Sequence, residues 1–169
     1  MGATGKNTSR LVVVAMMLAA CRTGGGRQSA RPPADSAYAG VQARGAVAMG
    51  VNQYTSRHIF EPLPDGGRIE LQREATDSAG SAQIRRHMAL IAERFAAGDF
   101  TLPGFVHARG VPGTEVMSAR RAAISYTVDW LPRGAALRLQ SADSAAVEAI
   151  HAFLAFQRKD HHAGAQRDS

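Results

Sequence analysis

The chain has 169 residues, 45% of them hydrophobic, which is enough for one domain with a sizeable core and an appendage. Its formal net charge is +6, and arginine supplies nearly all of the positive charge because Lys6 and Lys159 are the only lysines. Basic and acidic residues are interleaved, and Trp130 with three tyrosines offers few aromatic platforms, so the composition argues against a nucleic-acid-binding protein.

The N-terminus has the pattern of an export signal. Residues 1–10 are polar and basic, and residues 11–20, LVVVAMMLAA, are continuously apolar. An apolar run of this length rises only ~15 Å as a helix, against about 30 Å for the hydrocarbon core of a bilayer. It therefore predicts the apolar region of a signal peptide rather than a permanent span. The run ends in Leu18-Ala19-Ala20-Cys21, which resembles the lipobox of bacterial lipoproteins, where the cysteine is lipidated and begins the mature chain.

Cys21 is the only cysteine, so an intrachain disulfide and a thiolate site in the folded domain are both excluded. We expect a lipid-anchored protein of the bacterial cell envelope, with residues 1–21 as its signal peptide and Cys21 as its lipidation site. Arg22, where some lipoproteins have Asp, favours the periplasmic face of the outer membrane by resemblance to other lipoproteins. The alternative is an ordinary secretory signal with a chance cysteine.

Three further segments follow from composition. Residues 22–51 are rich in Gly, Ala, Ser and Pro and are expected to form a flexible tether. Residues 52–162 are expected to form a single domain, and residues 163–169 a disordered tail.

The first half of the domain predicts a hairpin and a helix. NQYTSRHIFEPLP (52–64) reads as extended, PDGG (64–67) as a turn, and RIELQRE (68–74) alternates as a half-buried strand does. A helix follows over 77–97, with Asp77 or Ser78 as its N-cap. Its apolar residues recur at helical spacing and form one stripe: Ile84, Met88, Ile91 and Phe95.

The second half repeats this order after an irregular loop over 99–121, into which His107 falls and in which GTEVMSARRA (113–122) is a candidate short helix. AAISYTVDWL (122–131) and ALRLQSA (136–142) predict a second hairpin. The last helix is expected to begin near Ser141 or Ser144, and its predicted inner stripe is Val147, Ile150, His151 and Leu154.

The order β-β-α-loop-β-β-α predicts an α+β fold. We expect a two-layer sandwich, in which an antiparallel sheet built from two hairpins carries two helices on one face. A ferredoxin-like arrangement is the alternative.

No motif of fixed local spacing carries catalytic chemistry, since HExxH, CxxC, GxSxG and a phosphate-binding glycine-rich loop are absent from the sequence. What remains is a set of six histidines. Imidazole is a common ligand for Zn²⁺ and Cu²⁺ and also serves haem iron. A chain without a usable thiol relies on His, carboxylate and Met, so we expect zinc or copper before haem.

The predicted metal ligands are His87, His107 and His151, one from each helix and one from the loop, with His58 next. Each also has a structural interpretation, as a boundary or core histidine with a satisfied hydrogen bond. His58 faces outward if Ile59 faces the core. The two remaining histidines, His161 and His162, are expected to belong to a solvated tail. Met88 and Met117 offer soft ligands for copper.

Several segments together resemble a group of small exported bacterial proteins of unknown function. The resemblance is carried by NQYTSRHIFEPLPDGGRIELQ, IRRHM, FAAGDFTLPGFVH, VPGTEVM and AIHAFLAFQRKDH, and it spans most of 52–162. Some members of the group are called aspartate carbamoyltransferases. That enzyme family is larger and has S-T-R-T and H-P-x-x-Q motifs, of which this chain has only Thr55-Ser56-Arg57 as a faint echo. The resemblance supports the domain limits and draws attention to the histidines.

Three functional hypotheses follow. The first is an envelope lipoprotein whose domain binds a metal ion or a metal-containing ligand through converging histidines. The second is a non-catalytic interaction module whose unknown partner binds the segment 99–121. The third, an enzyme with a histidine as general base, has the least support because no nucleophile or carboxylate stands out beside a histidine.

Overall fold

The computed structural model of the chain describes residues 1–2 and 34–163. The predicted signal peptide beyond its first two residues, Cys21, the first part of the predicted tether and the tail from residue 164 lie outside the described residues. No helix in the described part of the chain has the length and apolar character that crossing a membrane requires.

The described residues form five α-helices and four strands. The helices are α1 (Ala34–Met49), α2 (Ser78–Ala96), α3 (Thr101–His107), α4 (Thr114–Ala119) and α5 (Ser144–Asp160). The strands are β1 (Ser56–Leu63), β2 (Gly66–Arg73), β3 (Ser125–Leu131) and β4 (Gly134–Gln140), and short 3-10 turns lie at Gln53–Thr55 and Arg121–Ala123.

The strands form one antiparallel sheet in the order β1-β2-β4-β3, which places two hairpins side by side. Helix α2 packs on β3 and β4, and α5 packs on β1 and β2, with their buried residues in one shared core. The predicted α+β fold with two hairpins is therefore confirmed. The ferredoxin-like alternative does not hold, because its first two strands are separated by a helix whereas β1 and β2 are joined by a tight turn.

The apolar stripe of α2 packs as its spacing predicts. Its four members, Ile84, Met88, Ile91 and Phe95, are all buried. Asp77 is the N-cap of α2, because its Oδ1 accepts a hydrogen bond of 2.9 Å from the backbone N–H of Gly80.

Helix α5 lies directly on the backbone of β2. A Cβ at Gly67 would come within 2.1 Å of Leu154 Cδ1, so the glycine permits this close approach. Two details of the prediction are wrong. The N-cap is Asp143, whose side chain accepts from Ala145 N. Ile150 and Leu154 of the predicted stripe are buried, but Val147 and His151 are only half-buried, and Phe153 is buried beside them.

The predicted tether is wrong over residues 34–49, which form α1. This stretch has few apolar residues, but it is rich in alanine, which favours a helix. Val41 and Met49 are buried, and Met49 belongs to the core cluster. The folded unit therefore begins well before residue 52.

The segment 99–121 is not an irregular loop, because it holds α3 and α4. Pro103 lies in the first turn of α3, where the missing backbone N–H has no helical partner to lose. His107 is the last residue of α3, and Ala108 ends the helix with a φ of 52°.

Candidate functional site

A cavity of about 90 Å³ lies between α1, the core face of the sheet, α2, α3 and the C-terminal end of α5. A buried water needs roughly 10–15 Å³ on this measure, and drug-sized ligands occupy about 300–1,000 Å³. The cavity is therefore the size of an ion with its ligands or of a very small molecule. Its apolar lining includes Met49, Phe60, Ile69, Leu71, Met88, Ile91, Phe95, Leu102, Val106 and Phe153, and its polar lining is His58, Gln53, His87, His107, Gln157 and His161.

Three of the four predicted metal ligands, His58, His87 and His107, line this one cavity. The fourth, His151, does not. Its Nε2 lies 2.9 Å from the carbonyl oxygen of Leu63, on the part of α5 that packs against β1. The structure therefore does not bring His151 together with the other three, and its hydrogen bond to Leu63 agrees with the structural interpretation of that histidine.

His161, expected in a solvated tail, lines the cavity instead. Helix α5 runs to Asp160, and His161 is its C-cap. The ring of His161 stacks on His58 with centroids 5.1 Å apart and lies 5.6 Å from the ring of Phe60. These contacts bring it against the sheet, whereas His162 is exposed and stacks on Tyr38.

His58 lies on the core face of β1, because it pairs with Leu71 and shares its face with the buried Phe60. The condition under which His58 was expected to face outward, with Ile59 facing the core, is therefore not met. Ile59 and Phe60 point to opposite faces of β1, and both are apolar. The alternation along the strand therefore does not decide which face is buried.

One ring nitrogen of His58 has a hydrogen-bond partner, and the other has none. It hydrogen-bonds the backbone of Ser56, while its Nε2 is buried and has no hydrogen-bond partner. Burial lowers the pKa of His58 to about 4, the hydrogen bond to Ser56 opposes this, and charge on His87 lowers it further.

His87 repeats this arrangement from α2. Its imidazole hydrogen-bonds the backbone of Ala48 in α1, and its Nδ1 is buried without a partner. Burial lowers the pKa of His87 to about 4. In both residues the N–H points to a backbone carbonyl, so the nitrogen left over is the one that carries the lone pair.

His161 Nδ1 is also buried without a partner. Burial, followed by the neighbouring His58, His107 and His162, lowers the pKa of His161 to about 2. Gln53 Oε1 adds another buried, unpartnered atom to the same lining. Each such atom costs about 1–3 kcal/mol when nothing satisfies it.

His107 differs from the other three because both of its nitrogens have partners. Its Nδ1 lies 2.5 Å from Asp160 Oδ2, and its Nε2 lies 2.8 Å from Gln157 Oε1. Asp160 also forms an ion pair with Arg109, whose guanidinium lies over the ring of Phe156. These contacts join the end of α3 to the end of α5. Because both ring nitrogens of His107 have partners, neither is free for a metal.

Within residues 1–2 and 34–163, no group of three or more His, Cys, Asp or Glu side chains is placed so that it could hold a metal ion. Met49 and Met88 line the cavity, and Gln53 Nε2 lies 3.8 Å from Met49 Sδ. Met117, named with Met88 as a soft ligand, is buried in the core but is not part of this lining.

No protein-family model, curated protein or solved structure matches this chain. The sequence did not single out His161 or Gln53 for this site. The one signal for His161 was that the helical pattern of α5 continues almost to it, through Phe153 and Gln157.

Proposed function

We propose that this chain is a membrane-anchored lipoprotein of the bacterial cell envelope whose domain binds a zinc or copper ion. The ligands are His58, His87 and His161. One observation carries the proposal: three imidazole nitrogens from three different elements are buried without a hydrogen-bond partner in the lining of one cavity.

Hydrogen bonding supports a metal role for His58 and His87. A metal-binding histidine usually donates its second N–H to a carbonyl or carboxylate, which fixes the ring and its tautomer. Both residues make such a bond to a backbone group, at Ser56 and Ala48. The lone pair of each remaining nitrogen is left for a cation.

The spacing of His58 and His161 is also suitable. Their ring centroids are 5.1 Å apart. Two imidazoles on one tetrahedral ion have centroids ~5 Å apart, given metal–nitrogen bonds of ~2.0–2.1 Å. The separation of these two rings is therefore compatible with both imidazoles binding one ion.

The anchor rests on the sequence alone. The apolar run ending at Cys21 resembles a lipobox, and lipidation there would place the domain at a membrane surface. Globomycin, which blocks the peptidase that matures lipoproteins, should accumulate the unprocessed chain, and Cys21→Ser should abolish incorporation of labelled palmitate. Maturation that is insensitive to both would leave an ordinary secretory protein.

An envelope interaction module is the second candidate. In the segment 99–121, Phe105 is 49% exposed and Val116 is 41% exposed, so two apolar side chains on α3 and α4 are available to a partner. This role needs no unpaired imidazole, and a chain that binds no metal would favour it.

Metal titration of the full chain, purified without a histidine tag, tests the proposal. We expect one equivalent of Zn²⁺ or copper, with affinity reduced about 10–100-fold or more in His58→Gln and His87→Gln. His151→Gln is the matched control, because His151 is a half-buried helix histidine away from the cavity and should bind as the wild type does. No binding, or an equal loss in His151→Gln, contradicts the proposal.

A further inference from the structure

The cavity offers a cation neutral ligands in apolar surroundings. Among the described residues, its lining contains no Asp and no Glu, and apolar side chains form most of it. Asp160, which contacts His107 of this lining, is occupied by His107 and Arg109. A bound ion would therefore keep its full charge in a medium of low polarity.

Ion charge decides how costly that is. The cost of moving an ion from water into an apolar medium rises with the square of its charge, so a divalent ion pays about four times what a monovalent ion of equal radius pays. Neutral imidazoles and thioethers do not offset this cost by charge neutralisation. The surroundings of His58 and His161 thus favour a monovalent ion over Zn²⁺.

Ligand softness points the same way. Met49 and Met88 line the cavity together with the unpartnered histidines, and Met88 is 1% exposed. Thioether sulfur selects Cu(I), and imidazole is accepted by copper as well. Zinc is bound by imidazole, thiolate and carboxylate ligands, so the methionines are the part of this lining that distinguishes copper from zinc.

Resting on the proposed function, we infer that the ion is Cu(I), held by imidazole nitrogens of His58, His87 and His161 with the thioether of Met88. The ion binds as Cu(I) and leaves as Cu(I), so no electron transfer is involved. This assigns the buried Met88 a ligand role in addition to packing, and it places the chain among proteins that hold or carry reduced copper.

The test compares Cu(I) with Zn²⁺ on the full chain in detergent, with Cys21→Ala so that the single thiol cannot bind copper. Cu(I) is supplied anaerobically with a chromogenic Cu(I) chelator as competitor, and Zn²⁺ with a zinc indicator. We expect one Cu(I) bound about 100-fold or more tightly than Zn²⁺. Copper X-ray absorption should show a sulfur scatterer.

Met88→Leu is the diagnostic variant, since Leu and Met are similar in volume. It should lower Cu(I) affinity about 10-fold, remove the sulfur scatterer and leave Zn²⁺ affinity unchanged. Met117→Leu changes a buried methionine of the same core outside the cavity and should do none of these. If Met88→Leu does not fold, copper X-ray absorption of the chain without this substitution still shows whether sulfur binds the ion.

The outcomes separate the two levels of the proposal. Zn²⁺ bound more tightly than Cu(I), or Cu(I) bound without sulfur, overturns the Cu(I) assignment and leaves the metal-binding function standing. Failure to bind either ion overturns both.

Discussion

His107 and His161 lie side by side, with ring centroids 5.1 Å apart, but their hydrogen bonds give them different roles. His107 has a partner at each nitrogen, in Asp160 and Gln157. His161 leaves Nδ1 unpartnered. Removing a satisfied buried group and removing an unsatisfied one have opposite effects on stability. Single substitutions therefore distinguish a histidine that holds the fold from one that is kept for a ligand.

His161→Phe should leave the metal-free protein as stable as the wild type, or more stable by about 1 kcal/mol. Phenylalanine keeps the ring contacts with His58 and Phe60 and removes an unsatisfied polar atom. Urea unfolding without metal measures the change. Metal affinity should fall in the same variant, which is the trade-off expected of a functional residue. A loss of more than about 1 kcal/mol would show instead that His161 serves the fold.

His107→Phe should destabilise the protein by about 1–3 kcal/mol, because Gln157 loses its partner and Asp160 keeps only Arg109. Metal affinity should stay close to that of the wild type. Urea unfolding and metal titration of the same sample check both halves. If His107→Phe kept the stability of the wild type but lost metal affinity, His107 would instead be a metal ligand.

At the scale of elements, α1 is the part of the cavity wall most easily moved. It contributes few buried apolar side chains, chiefly Val41 and Met49. Its attachments include the hydrogen bond from Arg44 Nε to Val106 O, 2.7 Å, and the hydrogen bond of His87 to the backbone of Ala48. Tyr38 also stacks on His162, with ring centroids 4.0 Å apart. Gln42 Oε1, on the same helix, is buried without a partner.

Hydrogen exchange should accordingly be faster in α1 than in α2 or α5, whose buried stripes form the core. Since Met49 and Ala48 line the cavity, a bound ion should slow exchange in α1 more than elsewhere. Mass-spectrometric exchange with and without metal measures this. Equal protection of α1 and α2 in the metal-free protein would contradict this account of the helix.

The elements differ in how far the sequence predicted them. Helix α2 was clear because Ile84, Met88, Ile91 and Phe95 keep one helical stripe, and both hairpins were clear because each has a turn between alternating strands. Helix α1 has no such stripe, since its alanines carry the helical preference without marking a buried face. The sequence therefore resembled a tether there.

Across the whole molecule, the site depends on convergence that local spacing does not encode. His58, His87 and His161 come from β1, α2 and the end of α5, and only the order of the sheet and the position of α5 bring them together. His151 has an equally suitable sequence context, but it faces Leu63. The sequence therefore singled out the histidines as a class, whereas the fold decides which of them line one cavity.

The buried histidines also predict how overall stability depends on pH. In the unfolded chain His58 and His87 take up protons near pKa 6.5, but in the folded metal-free protein only near pKa 4. Between these values the unfolded state binds more protons, so the free energy of unfolding falls as pH falls. Each such histidine contributes up to ~1.4 kcal/mol per pH unit, and His161 adds to this.

Urea unfolding at pH 7.5, 6 and 5 in the absence of metal should therefore show a steady loss of stability below about pH 6.5. His161→Phe should reduce the slope. Carboxylates such as Asp77, whose pKa is lowered from 3.8 chiefly by its hydrogen bond to Gly80, act only at more acidic pH. A free energy of unfolding that is constant from pH 7.5 to 5 would contradict the burial of these imidazoles.

Nitrogen-15 NMR of the histidine side chains tests metal binding at these histidines, because it reports on each imidazole nitrogen separately. The full chain carrying Cys21→Ala is observed before and after one equivalent of Cu(I), and in a separate sample of Zn²⁺. The account predicts unprotonated His58 Nε2 and His87 Nδ1 in the metal-free protein, and changes at these nitrogens and at His161 when the ion is added. His151, bonded to Leu63, should not respond. Spectra in which no cavity histidine responds to either ion, or in which His151 responds as strongly, would contradict it.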